Sequence, residues 1–435
     1  MLTLFKFLFR FNLSKPELRR IKFLYIMELT NRLWARLGLL NLLMVAFLGM
    51  MLRTRFLFSI SFVDYRNFLA AHGVFAINGW VAFSLAALLV GKLLGRTHSR
   101  TYNIILVCWF ILSWLTLAGF LFLGPAGISY ISNSLLILVQ YIFSFVFIKD
   151  VLKRVQNKST RVLAVSAAIS LILASAGTIL LGLMYGAGIF FNVTYRDASY
   201  TFLHFQYNGF FSLGIFALIW HQLILKGVVI NLKLKRFTWL LSLSTLPTLF
   251  LSFLYHEKIG LYIPAILGGF MLVGCIYYLF SQRKKSFGDI IFREAWARHL
   301  FHIAMFSFLI KLLLQLGTLV PSLGHAIYSD RPVIIGFLHL VFLAFASFYI
   351  ISVYAEEGKL GRRFFRIPIA VFAFGVICTE LILMIQGVEI LFRSYNQLYN
   401  WLLWVASILL FLGALLLLVS SFLKSGIKKR AEALH

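Results

Sequence analysis

Twelve stretches of about twenty mostly apolar residues dictate what this chain can fold into, because about 20 residues rising 1.5 Å each cross about 30 Å of hydrocarbon. They fall near 34–52, 68–92, 103–124, 129–148, 162–186, 201–225, 237–255, 261–281, 299–320, 333–354, 367–387 and 398–423. Each run is continuously apolar, without the alternation of a membrane barrel, and helices satisfy their own backbone in lipid. The chain is 61% hydrophobic and 13% charged, against about 45–50% and about 25% in soluble domains. A soluble exterior could not be built from it. The fold class read from the sequence is all-α, a polytopic membrane bundle of about twelve helices.

Charge supplies an independent test of the count. The 41 Lys and Arg outnumber 14 Asp and Glu, giving +27. Of the basic residues, 33 lie in the amino-terminal segment, the even-to-odd connections with their flanking helix ends, and the tail; seven lie in the opposite set. Such alternation follows the positive-inside rule and predicts both termini on the cytoplasmic side. It also explains the basic excess by anionic lipid, so the partner implied is the bilayer and not nucleic acid. Residues 1–33 read as a cytoplasmic or interfacial segment, with an amphipathic helix ending near Ser14-Lys15-Pro16. Residues 34–423 read as one transmembrane domain and 424–435 as a basic cytoplasmic tail. Lys6 and Arg10 interrupt the first apolar stretch too soon for a signal-peptide core. No internal repeat and no low-complexity segment is evident. The location expected is a bacterial cytoplasmic (inner) membrane, where the sequon Asn192-Val193-Thr194 would go unused. Cys108, Cys275 and Cys378 lie within apolar runs and read as packing residues.

Ionisable side chains within spans are costly, which makes each one a candidate for function. His72, His204 and His339 each sit several residues into a span, on runs 2, 6 and 10, and all three runs start from the same face. At 1.5 Å per residue each imidazole is expected about 9–10 Å deep. His256 closes run 7 at that face. Imidazole ligates heme iron and copper well, and two histidines at one depth on different helices are what an axially ligated heme requires.

Histidines on the second, sixth, seventh and tenth of twelve spans resemble the catalytic subunits of the heme-copper oxidase and nitric oxide reductase superfamily. The stretch Ala71-His72-Gly73-Val74-Phe75-Ala76-Ile77-Asn78-Gly79-Trp80 is similar to that family's histidine-plus-Gly-Trp pattern. The resemblance implies that His72 and His339 are axial heme ligands and that His204 and His256 face copper or another second metal. It also implies an oxidoreductase role in electron transfer or gas reduction, or a role in sensing, with other respiratory subunits as partners. Two positions depart from the pattern. Tyr255-His256-Glu257 stands where the family has a histidine pair, and Leu340-Val341 follows His339 where the family has His-x-His. A one-heme version or a scaffold with a decayed site fits those departures; the alternative from another class is a cofactor-free transporter or flippase.

Further candidates flank the histidines. Tyr207, three residues after His204, could donate a proton or serve as a redox phenol. Arg66 and Arg331, with Arg196, precede the histidines by six to eight residues and could hold heme propionates. Asp64, Asp197 and Asp330 stand beside these arginines. Lys311 and Glu380 lie nearest mid-membrane, and their similar depth predicts a buried ion pair. Asn78, Gln140, Gln206, Asn208 and Gln315 suit interhelical hydrogen bonds.

Overall fold

The bundle forms as its hydropathy dictates: among the described residues eleven helices are long and apolar enough to cross a membrane, and a bent pair taken as one span makes a twelfth. The computed structural model describes residues 15–60, 64–95, 99–124, 127–189, 192–281, 286–321, 323–324, 330–361, 365–391 and 396–423. Among these no strand occurs. Spans 1 to 6 are Asn31–Leu57, Tyr65–Leu93, Arg100–Leu123, Gly127–Arg154, Lys158–Gly186 and Val193–Leu225. Span 7 joins Leu232–Ser244 to Pro247–His256; spans 8 to 12 are Ile259–Phe280, Ala295–Gly317, Arg331–Glu356, Arg366–Glu389 and Leu398–Phe422.

The helix of span 1 starts at Lys15 and runs unbroken to Leu57. Lys15-Pro16 therefore opens a helix where the sequence reading closed one, in keeping with the tolerance of the first helical turn for proline. The first fourteen residues and the basic tail lie outside the described residues.

Burial separates the spans into a centre and a ring. The most apolar windows of spans 2, 6 and 10 are 83%, 78% and 61% buried, whereas those of the other unbroken spans fall between 28% and 50%. The ring turns large apolar side chains such as Phe122, Phe145 and Ile263 outward, where lipid covers them. The centre is filled by Trp80, Phe83, Phe210 and Phe211, all below 2% exposure.

Each central helix widens into a π-helical turn, Ala76–Ala82 in span 2, Phe205–Phe211 in span 6 and Leu340–Ser347 in span 10, and the three turns touch one another. A π turn breaks the i to i−4 ladder and leaves carbonyls that must find other donors. Here they do. Asn41 Nδ2 donates to Gly79 O at 2.6 Å and Trp109 Nε1 to Asn78 O at 3.0 Å. Ser212 Oγ donates to Tyr207 O and Ser347 Oγ to Phe342 O, each at 2.6 Å. Trp80 Nε1 then ties span 2 to span 10 through Ser347 Oγ at 2.7 Å. Asn78 and Gln140 bond between helices as expected, Gln140 Nε2 donating to Asn78 Oδ1 at 3.0 Å. The centre thus recurs every four spans, a periodicity of backbone geometry that side-chain identity does not repeat.

Span 7 differs from the single helix read over 237–255. Pro247 has no N–H to continue the ladder, and the segment bends by 42° into a tighter 3₁₀ helix. Leu249 N now bonds Leu246 O at 3.2 Å. The carbonyl of Thr245 is left over.

At the opposite end, Glu357 joins span 2 to the turn after span 10 by pairing with both Lys92 and Lys359, the latter at 2.7 Å. Burial, together with the nearby Arg32 guanidinium, pulls the Lys359 ammonium down to about 7. Glu357 opposes this, but its charge is shared with Lys92, so burial prevails.

Candidate functional site

Span 1 builds the bed on which His72 rests. Val45, Gly49 and Arg53 are spaced by four residues, so they form one stripe along the helix. The imidazole Nδ1 lies 3.1 Å from the carbonyl oxygen of Val45. A carbonyl only accepts, so Nδ1 carries the proton and Nε2 keeps its lone pair. The ring lies over Gly49, where a Cβ would stand 3.2 Å from His72 Cε1. Beside it Gly73 faces space, since a Cβ there would meet nothing within 4 Å. A ring nitrogen fixed by a backbone carbonyl, with the other free, is the arrangement of metal-ligating histidines.

His339 occupies a matching position on span 10. His72 is seven residues from the start of its span and His339 eight, or about 10 and 12 Å at 1.5 Å per residue. His339 Nδ1 is buried with no hydrogen-bond partner among the described residues. The two imidazoles and Arg53 lie near enough to interact electrostatically. None of the residues Arg331–His339 is fully buried, although this segment packs beside span 11. Two histidines from different central helices therefore lie at similar depth and within electrostatic reach of each other, and two imidazoles are a donor set that heme iron accepts.

The pair assigned to a second metal is arranged differently. Span 6 begins at Val193, capped by Asn192 accepting from Tyr195 N at 2.8 Å, eight residues earlier than the hydropathy suggested. His204 is consequently eleven residues from the start of its helix, about one turn further than His72 and His339 are from the starts of theirs. Both of its nitrogens are committed: Nε2 donates to the leftover Thr245 carbonyl at 2.8 Å, and Nδ1 accepts from Asn208 Nδ2 at 3.0 Å. His256 Nε2 contacts both carboxylate oxygens of Asp197, at 3.0 and 3.1 Å, and its ring stacks on Tyr255 at 4.4 Å. Asp197 precedes His204 by seven residues, so His256 stands about 10 Å away along the helix. Among the described residues no three His, Cys, Asp or Glu side chains are grouped to hold a metal ion. As placed, His204 and His256 do not fit a shared metal; they join span 6 to span 7.

The remaining candidates also take definite places. Arg66 and Arg331 are exposed at the starts of spans 2 and 10. Asp64 caps span 2 by accepting from the backbone of Arg66 and Asn67, and Asp197 also takes the Tyr255 hydroxyl. Tyr207 is buried in the π turn of span 6, its ring centre 5.9 Å from that of His204, and its hydroxyl bonds Ser252. Lys311 and Glu380 do not pair. Lys311 Nζ donates to Ser212 Oγ at 3.2 Å and lies 5.1 Å and 5.7 Å from the ring centres of Phe308 and Tyr207. Glu380 Oε1 is buried with no hydrogen-bond partner among the described residues. Similar depth along two helices does not by itself bring two side chains together, because each side chain's direction is set by rotation about its helix axis.

Arg53 was not legible as a site residue, since it reads as one of several basic residues in the loop after span 1. The signal available was its spacing of nineteen residues before His72 on a helix that must return beside it. Compared with family models and with curated proteins, the sequence matches none.

Proposed function

We propose that this membrane protein binds one heme between His72 of span 2 and His339 of span 10 and serves in electron transfer. The observation that carries the reading is the matched depth of two imidazoles on different central helices, within electrostatic reach of each other, with the Val45 carbonyl taking the Nδ1 proton of His72 so that Nε2 keeps its lone pair. Heme bound there would supply one-electron exchange. A heme held by both His72 and His339 would have its protein ligands supplied by these two side chains, which favours electron transfer over gas reduction. The commitment of His204 and His256 to hydrogen bonds argues likewise for one heme and no second metal beside it.

The residues have separable tasks. Val45 orients the His72 ring through its carbonyl, Gly49 leaves room for that ring, and the close-packed aromatic centre keeps water from the inner side. That solid centre also favours a fixed redox site over the alternating cavities of a transporter.

The test is the reduced-minus-oxidised absorption spectrum of detergent-purified protein. Wild type is expected to show a Soret band with sharp alpha and beta bands. His72→Leu and His339→Leu should each abolish or shift them, while His299→Leu at the other end should not. Heme retained unchanged in both site variants would overturn the assignment of ligands, and wild type without heme would overturn the reading itself.

A further inference from the structure

We infer that Arg53 is the recognition residue for a heme carboxylate: it reads the propionate edge of the porphyrin held by His72 and His339. The inference rests on the heme reading above and adds the orientation of the group and the residue that fixes it.

Position comes first. Arg53 continues the stripe on which His72 lies, one turn beyond Gly49 and two beyond Val45, about 6 Å and 12 Å along the helix. It is four residues from the end of span 1, close to the membrane boundary, whereas the imidazoles lie deeper. A porphyrin ligated at the depth of the imidazoles and turned with its acidic edge toward the nearer surface brings that edge to the guanidinium.

Charge comes second. Arg53 is half-buried, and among the described residues no carboxylate forms an ion pair with it. The nearest acid in sequence, Asp64, spends its carboxylate on capping span 2. Arginine presents a planar fork that matches a carboxylate through two parallel N–H···O bonds. A guanidinium held beside two imidazoles without an anion is costly, and a ligand that brings its own carboxylate would remove that cost.

By sequence position alone Arg66 and Arg331 are the candidates for this task. Both stand exposed at span starts, and neither shares the helix stripe on which His72 rests. A lipid phosphate could also neutralise Arg53, so the test separates the two anions.

Full-length protein from heme-depleted cells is titrated with iron protoporphyrin IX and with its dimethyl ester, which keeps the ring and iron but removes both carboxylates. A charge-assisted hydrogen bond predicts that wild type prefers the free acid by about ten- to a hundredfold. In Arg53→Gln that preference should vanish, with affinity for the ester unchanged; Arg53→Lys should retain part of it. Wild type binding acid and ester equally would hand Arg53 to a lipid phosphate and overturn the inference, whether or not the variants fold. A full preference surviving in Arg53→Gln would overturn it too, while leaving the bis-histidine reading intact. Wild type that binds neither porphyrin would overturn both.

Discussion

Replacing His204 by Leu asks whether that histidine is a ligand or a strut. Leucine fills much of the imidazole's volume but offers no polar atom. Two partners would lose their bonds at once: the Thr245 carbonyl, already free of the helix ladder because span 7 bends, and the Asn208 amide. Each buried polar group left unsatisfied costs about 1–3 kcal/mol, so the substitution should destabilise by about 2–6 kcal/mol. The upper part of that range is expected, because His204 is 0% exposed and water cannot readily replace the lost donor. Glutamine supplies one donor and one acceptor in the same region, so His204→Gln should recover part of the loss. The assay is denaturant unfolding in mixed micelles, followed by tryptophan fluorescence, with heme content measured on the same samples. His204→Leu should lose stability while bis-imidazole heme spectra persist in the folded fraction. A variant within about 1 kcal/mol of wild type would refute the hydrogen-bond accounting. One that keeps its stability but loses a metal signal would show His204 to be a ligand after all.

Glycine substitutions beside His72 should diverge: Gly49→Ala, whose Cβ would stand 3.2 Å from the ring, should cost about 1 kcal/mol by straining the bond to Val45, whereas Gly73→Ala meets open space and should melt no lower than wild type. Lys311→Met and Glu380→Gln should have additive effects on unfolding free energy, within about 0.5 kcal/mol; a larger coupling would mean that the two charges meet. The lowered proton affinity of Lys359 makes its ammonium form a burden to the fold at low pH. Between about 7 and the ordinary lysine range the folded state holds fewer protons than the unfolded state, so stability rises with pH. Melting temperatures of wild type should therefore climb relative to Lys359→Gln as pH increases from 7, and parallel curves would refute this account.

Hydropathy made the twelve spans readable because each helix must match the bilayer whatever its neighbours do. It could not reveal the bend in span 7 as a functional element, since Pro247 reads as a tolerated proline until the Thr245 carbonyl is seen to hold His204. The depths of His72 and His339 were legible from their distance to a span start. The start of the helix that carries His204 was not legible, because the polar stretch Val193–Tyr200 is helical yet not apolar. Rotation about a helix axis was not legible at all. Spans that are apolar on every side carry no stripe to orient them, so Lys311 and Glu380 read as partners and Arg53 as a loop charge. The π turns were equally hidden. They depend on donors such as Asn41 and Trp109 arriving from other spans to take the released carbonyls.

Electron paramagnetic resonance of the oxidised, purified protein reports heme iron and its ligands together, and so tests the pairing of His72 with His339 on one heme. One low-spin ferric heme per chain with a bis-imidazole signature is expected, lost in His72→Leu and in His339→Leu. A high-spin ferric signal from wild type would place at most one imidazole on the iron, and the absence of any heme signal from folded protein would contradict the account as a whole.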